Sequence, residues 1–295
     1  MVSALTAGTI VLTGSEVSGN VGALFRVDPK RGTEAKLSAG GDFATPIGVA
    51  LEADGKILIA DADAFGGAGA VFRVDPATKK RTTVAKGGLF ANPFDIAVEA
   101  TGGILVVDPH ASSGAGGVIR VDPATGEQVL LSSGQESGAT AALREVGIAL
   151  EKNGRILVVE QALMGGVGGG RVTRIHQKTG VRKVVSSAGS FISAVGIAVE
   201  KDGGILVCDA NAFGGGGGVI RVNPKTGKQT TVSSAGLFIS PVGIAVEANG
   251  GILVADSDAF GVKGGIIRVH PKTGKQTKVS AGKKFGGHRR LAIVP

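Results

Sequence analysis

Short apolar runs, separated by glycine-rich or charged turns, recur along the whole chain. One unit contains four such runs, at residues 242–247, 251–256, 266–269 and 276–279. Runs of this length, rich in valine, isoleucine and threonine, are typical of β-strands. In most units an Asn-Gly or Asp-Gly pair separates the first run from the second and favours a tight hairpin turn. The pattern therefore predicts four short antiparallel strands per unit.

A pentapeptide similar to Ile-Arg-Val-Asp-Pro occurs six times, and its spacing defines the length of these units. Successive copies of its arginine are 47, 47, 54, 47 and 47 residues apart. Self-similarity at such a period indicates an array of supersecondary units, each too small to bury its own apolar face. Four antiparallel strands per unit are typical of a propeller blade, so six copies predict six blades. The arginines are Arg26, Arg73, Arg120, Arg174, Arg221 and Arg268.

The two ends of the chain are expected to complete one blade. Adding 47 to the positions of residues 243–246, in a first strand, gives residues 290–293, whereas the chain begins with a second strand. The last strand should therefore join the N-terminal blade and hide sheet edges that would otherwise template aggregation. The predicted fold class is all-β: one six-bladed β-propeller domain over residues 1–295, with four antiparallel strands per blade, closed by the C-terminal strand.

A corner with the pattern Asp/Asn-Pro-x-Thr-Gly joins the third and fourth strands. Copies at residues 122–126 and 223–227 combine a side-chain acceptor, a proline that presets φ and a glycine for the left-handed conformation. Lys79 replaces that glycine in the second unit. A strain of about 1 kcal/mol is expected there.

These features together resemble the six-bladed propellers of the NHL, gluconolactonase-like and streptogramin lyase-like group. The resemblance rests on the pentapeptide copies, the period and the strand shared between the termini, and it covers essentially the whole chain. It implies the propeller fold. The catalytic motifs of the group's enzymes find no residue-by-residue match in this sequence, so no particular activity is implied.

Composition agrees with a repetitive β-protein. The 295 residues are 43% hydrophobic and include 51 glycines, which is too apolar for a disordered chain. The apolar runs are well short of the roughly 18 residues that cross a bilayer, so we expect no membrane insertion. The N-terminus lacks the pattern of a signal peptide, which leaves a cytoplasmic protein or a mature exported form. Cys208 is the only cysteine and aligns with small apolar residues, which favours a buried thiol.

Glycine-rich loops should crowd one face of the propeller, because the turns that follow the second and fourth strands lie at the same end of a blade. Eight of the eleven phenylalanines belong to these loops. Their regular recurrence favours wedges that seal adjacent blades over an aromatic ligand-binding ring. They are Phe43, Phe90, Phe191, Phe238 and Phe285 in one loop class, and Phe65, Phe213 and Phe260 in the other.

Repeated charges also favour an architectural role. The six arginines recur with acids at the ends of both first and second strands, so ion pairs within blades are expected, with a cation-binding ring of glutamates as the alternative. In the first blade Gly14 and Val294 occupy the two acidic positions, so Arg26 should be solvated or paired differently.

Three Asp-x-Asp/Asn-x-x-Gly loops resemble the start of a calcium loop. The glutamate that should end the first of them is Phe72, which favours Asx-turn capping.

The repeats disagree mainly in the third and fourth blades. Asp95 replaces a repeated glycine and His110 replaces a repeated acid or amide. With Asp108, and with Glu160 in the next blade, they are candidates for a carboxylate and imidazole cluster that transfers protons or binds a divalent metal ion. Neutral drift within a duplicated array is the alternative. The fourth unit is seven residues longer, which adds further candidates for contacts with a ligand or partner: Arg144, Glu145 and Gln161.

Net charge is concentrated near the C-terminus. After Asp258 the sequence has nine lysines and arginines and no acid, whereas the whole chain carries +8. A basic C-terminal segment attracts phosphates, nucleic acid or anionic surfaces. Arg289 and Arg290 are the candidate residues for contact with such a partner. The alternative is that the basic segment is a solvated surface without a partner.

Two functions remain open from the sequence. The first is a binding scaffold that receives a small molecule or protein on the glycine-rich loop face around the central opening. The alternative is a metal-assisted hydrolase or lyase that uses Asp95, Asp108, His110 and Glu160 on the same face.

Overall fold

A computed structural model shows six antiparallel sheets, which are the blades of a β-propeller. The structure describes residues 5–16, 21–134, 143–162, 169–262, 264–282, 285–286 and 290–295. None of the helices in these ranges is long and apolar enough to cross a membrane. The predicted fold class, with four antiparallel strands per blade, is confirmed.

The strands follow one another blade by blade. Blade 1 contains β1 (Ile10–Glu16), β2 (Gly22–Val27) and β3 (Glu34–Ala39); blade 2 contains β4 (Pro46–Leu51), β5 (Ile57–Asp61), β6 (Ala70–Val74) and β7 (Arg81–Lys86). Blade 3 contains β8 (Asp95–Val98), β9 (Ile104–Asp108), β10 (Gly117–Val121) and β11 (Gln128–Ser133); blade 4 contains β12 (Leu143–Leu150), β13 (Ile156–Ala162), β14 (Arg171–Ile175) and β15 (Arg182–Ser187). Blade 5 contains β16 (Ala194–Val199), β17 (Ile205–Asp209), β18 (Gly218–Val222) and β19 (Gln229–Ser234); blade 6 contains β20 (Pro241–Val246), β21 (Ile252–Asp256), β22 (Gly265–Val269) and β23 (Gln276–Ser280). The chain returns to blade 1 with β24 (Phe285–Gly286) and β25 (Leu291–Ile293).

Closure occurs through the last strand, as predicted. β25 pairs antiparallel with β1, with Ile293 opposite Ile10 and Leu291 opposite Leu12, and β24 pairs with the far end of β1. The backbone N–H of Val294 donates to the carbonyl of Thr9 at 2.9 Å. The C-terminal strand is therefore the first strand of blade 1.

The core lies between neighbouring blades. The second strands of blades 2, 3, 5 and 6 are buried along their whole length, as in Ile57–Asp61, because adjacent blades cover both faces of the sheet. This explains why these strands have continuous apolar runs rather than alternating patterns. Fourth strands are more exposed, as in Arg81–Lys86, where Ala85 is the one buried residue. The predicted phenylalanine wedges are confirmed in one loop class, where Phe43, Phe90, Phe191 and Phe238 are at most 6% exposed. In the other class Phe213 is 38% exposed and is not a buried wedge, and Phe65 and Phe260 are half-buried.

The turns divide the propeller into two faces. The loop face carries the connections that leave second and fourth strands, and the corner face carries the hairpins between first and second strands and the corners between third and fourth strands. Four-residue helical turns on the loop face are α1 (Ala64–Gly67), α2 (Ala111–Gly114), α3 (Ala212–Gly215) and α4 (Ala259–Val262). They turn left-handed inside, with Phe65, Phe213 and Phe260 at φ of 55 to 57°.

Candidate functional site

The repeated arginines form ion pairs within blades, as predicted. In blade 5, Arg221 Nε lies 2.6 Å from Glu200 Oε2, and Nη2 also donates to the carbonyl of Pro271 in the next blade. The acid is always the one that follows the first strand, because both groups lie at the corner face. The pairs are Arg73–Glu52, Arg120–Glu99, Arg174–Glu151, Arg221–Glu200 and Arg268–Glu247. Arg26 is half-buried and has no such pair among the described residues.

The aspartates that end second strands have a different role. Asp108 is fully buried and accepts hydrogen bonds from the backbone N–H groups of Ala91, Asn92 and His110 at 2.7 to 2.9 Å. Asp61, Asp209 and Asp256 accept equivalent bonds in their blades. The predicted Asx-turn capping is therefore confirmed, and Asp108 organises the entry and exit of its loop.

An ion pair lies at the axis of the ring. Six equivalent positions of the first strands face each other there, and four are glycines: Gly48, Gly147, Gly196 and Gly243. The other two are Asp95 and Arg290, whose Nε lies 3.4 Å from Asp95 Oδ2. The Arg290 guanidinium also donates to the carbonyls of Val146, Val195 and Val242. One side chain from blade 1 thus contacts blades 3, 4, 5 and 6.

Burial dominates the electrostatics of this pair. Arg290 is 5% and Asp95 7% exposed, and burial raises the pKa of Asp95 against the opposing effect of Arg290. The glycines provide the room, because a Cβ at Gly48 would lie 2.8 Å from the Asp95 Cα. The Asp95 and Arg290 side chains therefore occupy the central opening at this level.

A second buried charge cluster lies where blades 3 and 4 meet. Glu160 accepts hydrogen bonds from Arg171, Arg182 and, at 2.8 Å, Thr173 Oγ1. Glu145 lies beside them with its Oε1 2.9 Å from Arg182 Nη1. Burial raises the pKa of Glu145, and Arg182 opposes the rise. Arg182 also donates to Ser132 Oγ and to the carbonyl of Ser133 in blade 3, so the cluster links the two blades. Both carboxylates are at most 1% exposed and present little acid to solvent.

The remaining candidates lie around this cluster on the loop face. The ring nitrogen Nε2 of His110 is in hydrogen-bond contact with Arg144, which is half-buried. Gln161 donates to Ser193 Oγ at 2.5 Å. Arg289 lies outside the described residues, as does most of the long connection before Arg144.

The side chains of the four residues considered for catalysis thus make separate contacts, although the His110 backbone N–H also donates to Asp108. Asp95 pairs with Arg290 at the axis, Asp108 caps a loop, His110 contacts Arg144, and Glu160 binds two arginines. Within the described ranges, no three histidine, cysteine or acidic side chains converge as metal ligands would. The described geometry offers a packed scaffold rather than an open acid and base pair.

The basic C-terminal segment is distributed over several environments. Arg268 is paired with Glu247, Arg290 is buried at the axis, and Lys278 Nζ lies 5.7 Å from the centre of the Phe260 ring. Of the described cations in this segment, Lys272 and Lys275 are the two that are exposed and unpaired on the corner face. Adjacent cations in the sequence therefore do not form one patch.

Two contacts were missed by sequence reasoning. The six axial positions hold four glycines, one acid and one base. This pattern of opposite charges could have predicted the contact between Arg290 and Asp95. Glu145 stands where three other blades have proline, Pro46, Pro93 and Pro241, and Arg171 stands where they have glycine or alanine. These charged residues indicated that blade 4 differs from the other blades, but not that their side chains are buried.

Open grooves run along the corner face. One of about 670 Å³ lies beside Arg120 and Gln177, and one of about 420 Å³ lies beside Arg221 and Lys225. A third, of about 390 Å³, is lined by Arg268 and Lys275. These grooves repeat with the blades and contain the repeated ion pairs.

Five of the nine large exposed apolar side chains of the described chain lie on the loop face. Ile192 and Ile239 are 40% and 54% exposed in the loops that lead into blades 5 and 6, where the loops into blades 2 and 3 have Ala44 and Ala91. Phe213 is 38% exposed in α3. The exposed large apolar residues of the loop face are Val21, Leu89, Ile192, Phe213 and Ile239; those elsewhere in the described chain are Val129, Leu130, Val181 and Val184.

Comparison with known proteins gives a likeness in structure. No protein-family model and no curated protein matches the sequence. A structure of a nidogen/laminin complex is similar with a TM-score of 0.70 and 14% identity, over 97% of this chain and 99% of that one. TolB from Acinetobacter baumannii also gives 0.70 and 14%, over 97% of this chain and 66% of that one. The calcium-binding protein regucalcin from Agrobacterium tumefaciens gives 0.59 and 16%, over 85% and 75%. At these identities the likeness shows that the chain has the six-bladed β-propeller fold.

Proposed function

We propose that the chain is a non-catalytic binding protein whose loop face receives a protein partner. The observation that carries this proposal is the set of exposed apolar side chains on that face. Ile192 and Ile239 directly follow the buried wedges Phe191 and Phe238, so the turn holds them outward. Exposed apolar groups within a polar surround are typical of protein interaction sites.

Backbone conformation supports the same face. Phe213 has φ of 57°, a left-handed conformation that costs a non-glycine residue about 1–2 kcal/mol. The equivalent Phe260 lies under Lys278, but Thr231 stands at the corresponding place in blade 5. Phe213 is thus an aromatic side chain held on the surface at a cost, as at many binding sites. Arg144 and Gln161 of blade 4 extend the proposed contact area.

Among similar structures, the nidogen/laminin complex is an example of this fold within a protein complex. The alternative function, a metal-assisted hydrolase or lyase, requires Asp95, Asp108, His110 and Glu160 to act together. Their separate networks count against it, and metal analysis of the purified protein tests it. Stoichiometric calcium or zinc that is lost in the Asp95→Asn/His110→Ala variant would favour the enzyme instead.

Binding is tested by comparing capture of proteins from an extract of the source organism. The wild type is compared with Ile192→Ser/Ile239→Ser and with Val129→Ser/Val184→Ser, whose valines are similarly exposed on the outer strands of blades 3 and 4. A partner should be lost with the isoleucine variant and retained with the valine variant. Equal capture by all three proteins would contradict the proposal.

A further inference from the structure

The corner face has a strongly asymmetric charge. Ten exposed cations lie in the turns of blades 4, 5, 6 and 1, which are consecutive around the ring, and we call them the basic arc. They are Lys152, Arg155, Lys178, Lys201, Lys225, Lys228, Lys272, Lys275, Lys30 and Arg31. The glutamates of these turns are already paired with the repeated arginines, so the unpaired acids are Asp28 and Asp202.

The other two blades lack this excess. Blade 2 contributes Lys79 and Lys80 to the corner face, and its Lys56 is paired with Asp54. Blade 3 contributes no lysine but adds Asp122 and Glu127. The fold of each turn is the same, so the difference is one of charge.

The capping residues of the corners show that this charge is not a by-product of folding. In blade 3, Asp122 accepts hydrogen bonds from the next two free backbone N–H groups at 2.8 Å. Blades 4, 5 and 6 use acceptors without a carboxylate instead: His176 Nδ1, Asn223 Oδ1 and His270 Nδ1 accept the equivalent bonds at 2.9 to 3.3 Å. Each of these three caps is followed two residues later by a lysine, whereas Asp75 and Asp122 are followed by alanine; in blade 1 the acidic cap Asp28 is itself followed by Lys30.

The charged groups of the basic arc remain available for an external anion. Among the described residues, none of the ten side chains of the basic arc forms an ion pair. Lys201 Nζ donates to the carbonyl of Ala248 at 2.5 Å, which holds its position without neutralising it. Arg26, the copy of the repeated arginine without its glutamate, adds a further charge in blade 1.

We propose that the basic arc docks the propeller, corner face down, on an anionic lipid bilayer. The cations lie in turns at the same end of four blades, so a planar surface meets all of them, whereas a straight duplex touches only part of the arc. Eight of the ten are lysines, which act as point charges toward phosphate and lack the planar, bidentate geometry of arginine. No tyrosine or tryptophan exists for base stacking. Val181, 65% exposed at the corner of blade 4, is an apolar contact suited to a lipid interface.

Vesicle binding tests this proposal with the full-length chain. Sedimentation with phosphatidylcholine vesicles that contain phosphatidylserine should show binding, and pure phosphatidylcholine vesicles should show none. Raising the salt from about 0.1 M to about 1 M should abolish binding, because the Debye length falls from about 10 Å to about 3 Å. Lys225→Gln/Lys272→Gln should lower the partition coefficient about 25-fold, from about five-fold per lysine near an anionic surface.

The matched control removes two charges from the other side of the same face. Lys79→Gln/Lys80→Gln should change vesicle binding less than about three-fold, because blade 2 lies outside the four blades of the basic arc. Equal loss in both variants, or no binding to phosphatidylserine, would overturn the proposal. Displacement of the protein from vesicles by duplex DNA would assign the arc to nucleic acid instead, and displacement by inorganic phosphate at constant ionic strength would assign it to a discrete anion site.

Discussion

At the axis of the ring, two side chains replace the glycines used by four other blades. Asp95 and Arg290 fill the space that Gly48, Gly147, Gly196 and Gly243 leave open. The sequence identified Asp95 as an exception but assigned it to a cluster with His110. Only the ring geometry brings residue 95 within reach of residue 290, because their contact depends on how blades close in space.

The pH dependence of stability should reveal the buried Asp95 carboxyl. Burial raises its pKa above the usual 3.8, so the folded protein holds this proton to a higher pH than the unfolded chain does. Its stabilising contribution is complete below the unfolded pKa and is lost as the pH rises through the folded pKa. The stability of Asp95→Asn relative to the wild type should therefore increase from about pH 4 to about pH 7.

Urea unfolding across this range measures the difference, with Asp122→Asn as the control. Backbone hydrogen bonds from Thr125 and Ala124 lower the pKa of Asp122, so its contribution is lost as the pH falls. That variant should therefore gain relative stability toward acid pH. The same pH trend in both variants would contradict the assignment.

Cys208 should be inert in the folded protein. It is fully buried, and burial raises the pKa of its thiol to about 12. Since the thiolate is the reactive form, a disulfide reagent such as DTNB should label the thiol only after unfolding in urea. Complete labelling of the native protein at the rate of the unfolded protein would show that the site opens.

At the scale of elements, the repeat predicted strands, hairpins and corners because each depends on short-range pattern. The partner of the repeated arginines was not fixed, since acids follow both first and second strands. The antiparallel order of the strands determines which acid pairs with the arginine. First and third strands both end at the corner face, whereas a second strand ends at the loop face, where Asp209 lies. Lys79 illustrates the same local predictability, with φ of 61° where other corners have glycine.

The Arg221 ion pair should contribute measurably to stability, and Arg26 provides the matched control. Arg221→Met removes two hydrogen bonds to Glu200 and one to Pro271 and should lower the free energy of unfolding by about 1–2 kcal/mol. Arg26→Met removes no such pair and should change it by less than about 0.5 kcal/mol. Urea unfolding of both variants tests this, and equal losses would show that the methylene stem rather than the ion pair matters.

At the scale of the whole molecule, the closed ring was predictable from the terminal strands, but its locking was not. The alignment of residues 290–293 with a first strand predicted that β25 joins blade 1. Nothing in the local pattern shows that Arg290 also binds carbonyls of blades 4, 5 and 6. Such contacts arise only when six repeats meet around one axis.

Removing the axial arginine should destabilise the entire ring. Arg290→Met leaves Asp95 unpaired in a buried site and should lower the free energy of unfolding by about 3–5 kcal/mol. Adding Asp95→Asn should recover about 1–2 kcal/mol, because the uncompensated carboxylate is then gone. Urea unfolding of the single and double variants measures both values, and wild-type stability of Arg290→Met would contradict the role of this residue.

The two faces of the molecule have opposite chemistry, and the proposed function depends on that division. The loop face carries exposed isoleucines and Phe213, whereas the corner face carries the basic arc. Comparison among repeats made these differences visible. The ligand of each face is determined by the chemistry of molecules outside the chain, so the repeat pattern and the fold do not identify it.

The affinity of the purified partner for three forms of the protein tests the central claim, binding at the loop face, most directly. Titration calorimetry should show affinity at least about ten-fold weaker for Ile192→Ser/Ile239→Ser than for the wild type, which corresponds to about 1.4 kcal/mol. Val129→Ser/Val184→Ser should bind as the wild type does. Wild-type affinity of the isoleucine variant would contradict the account.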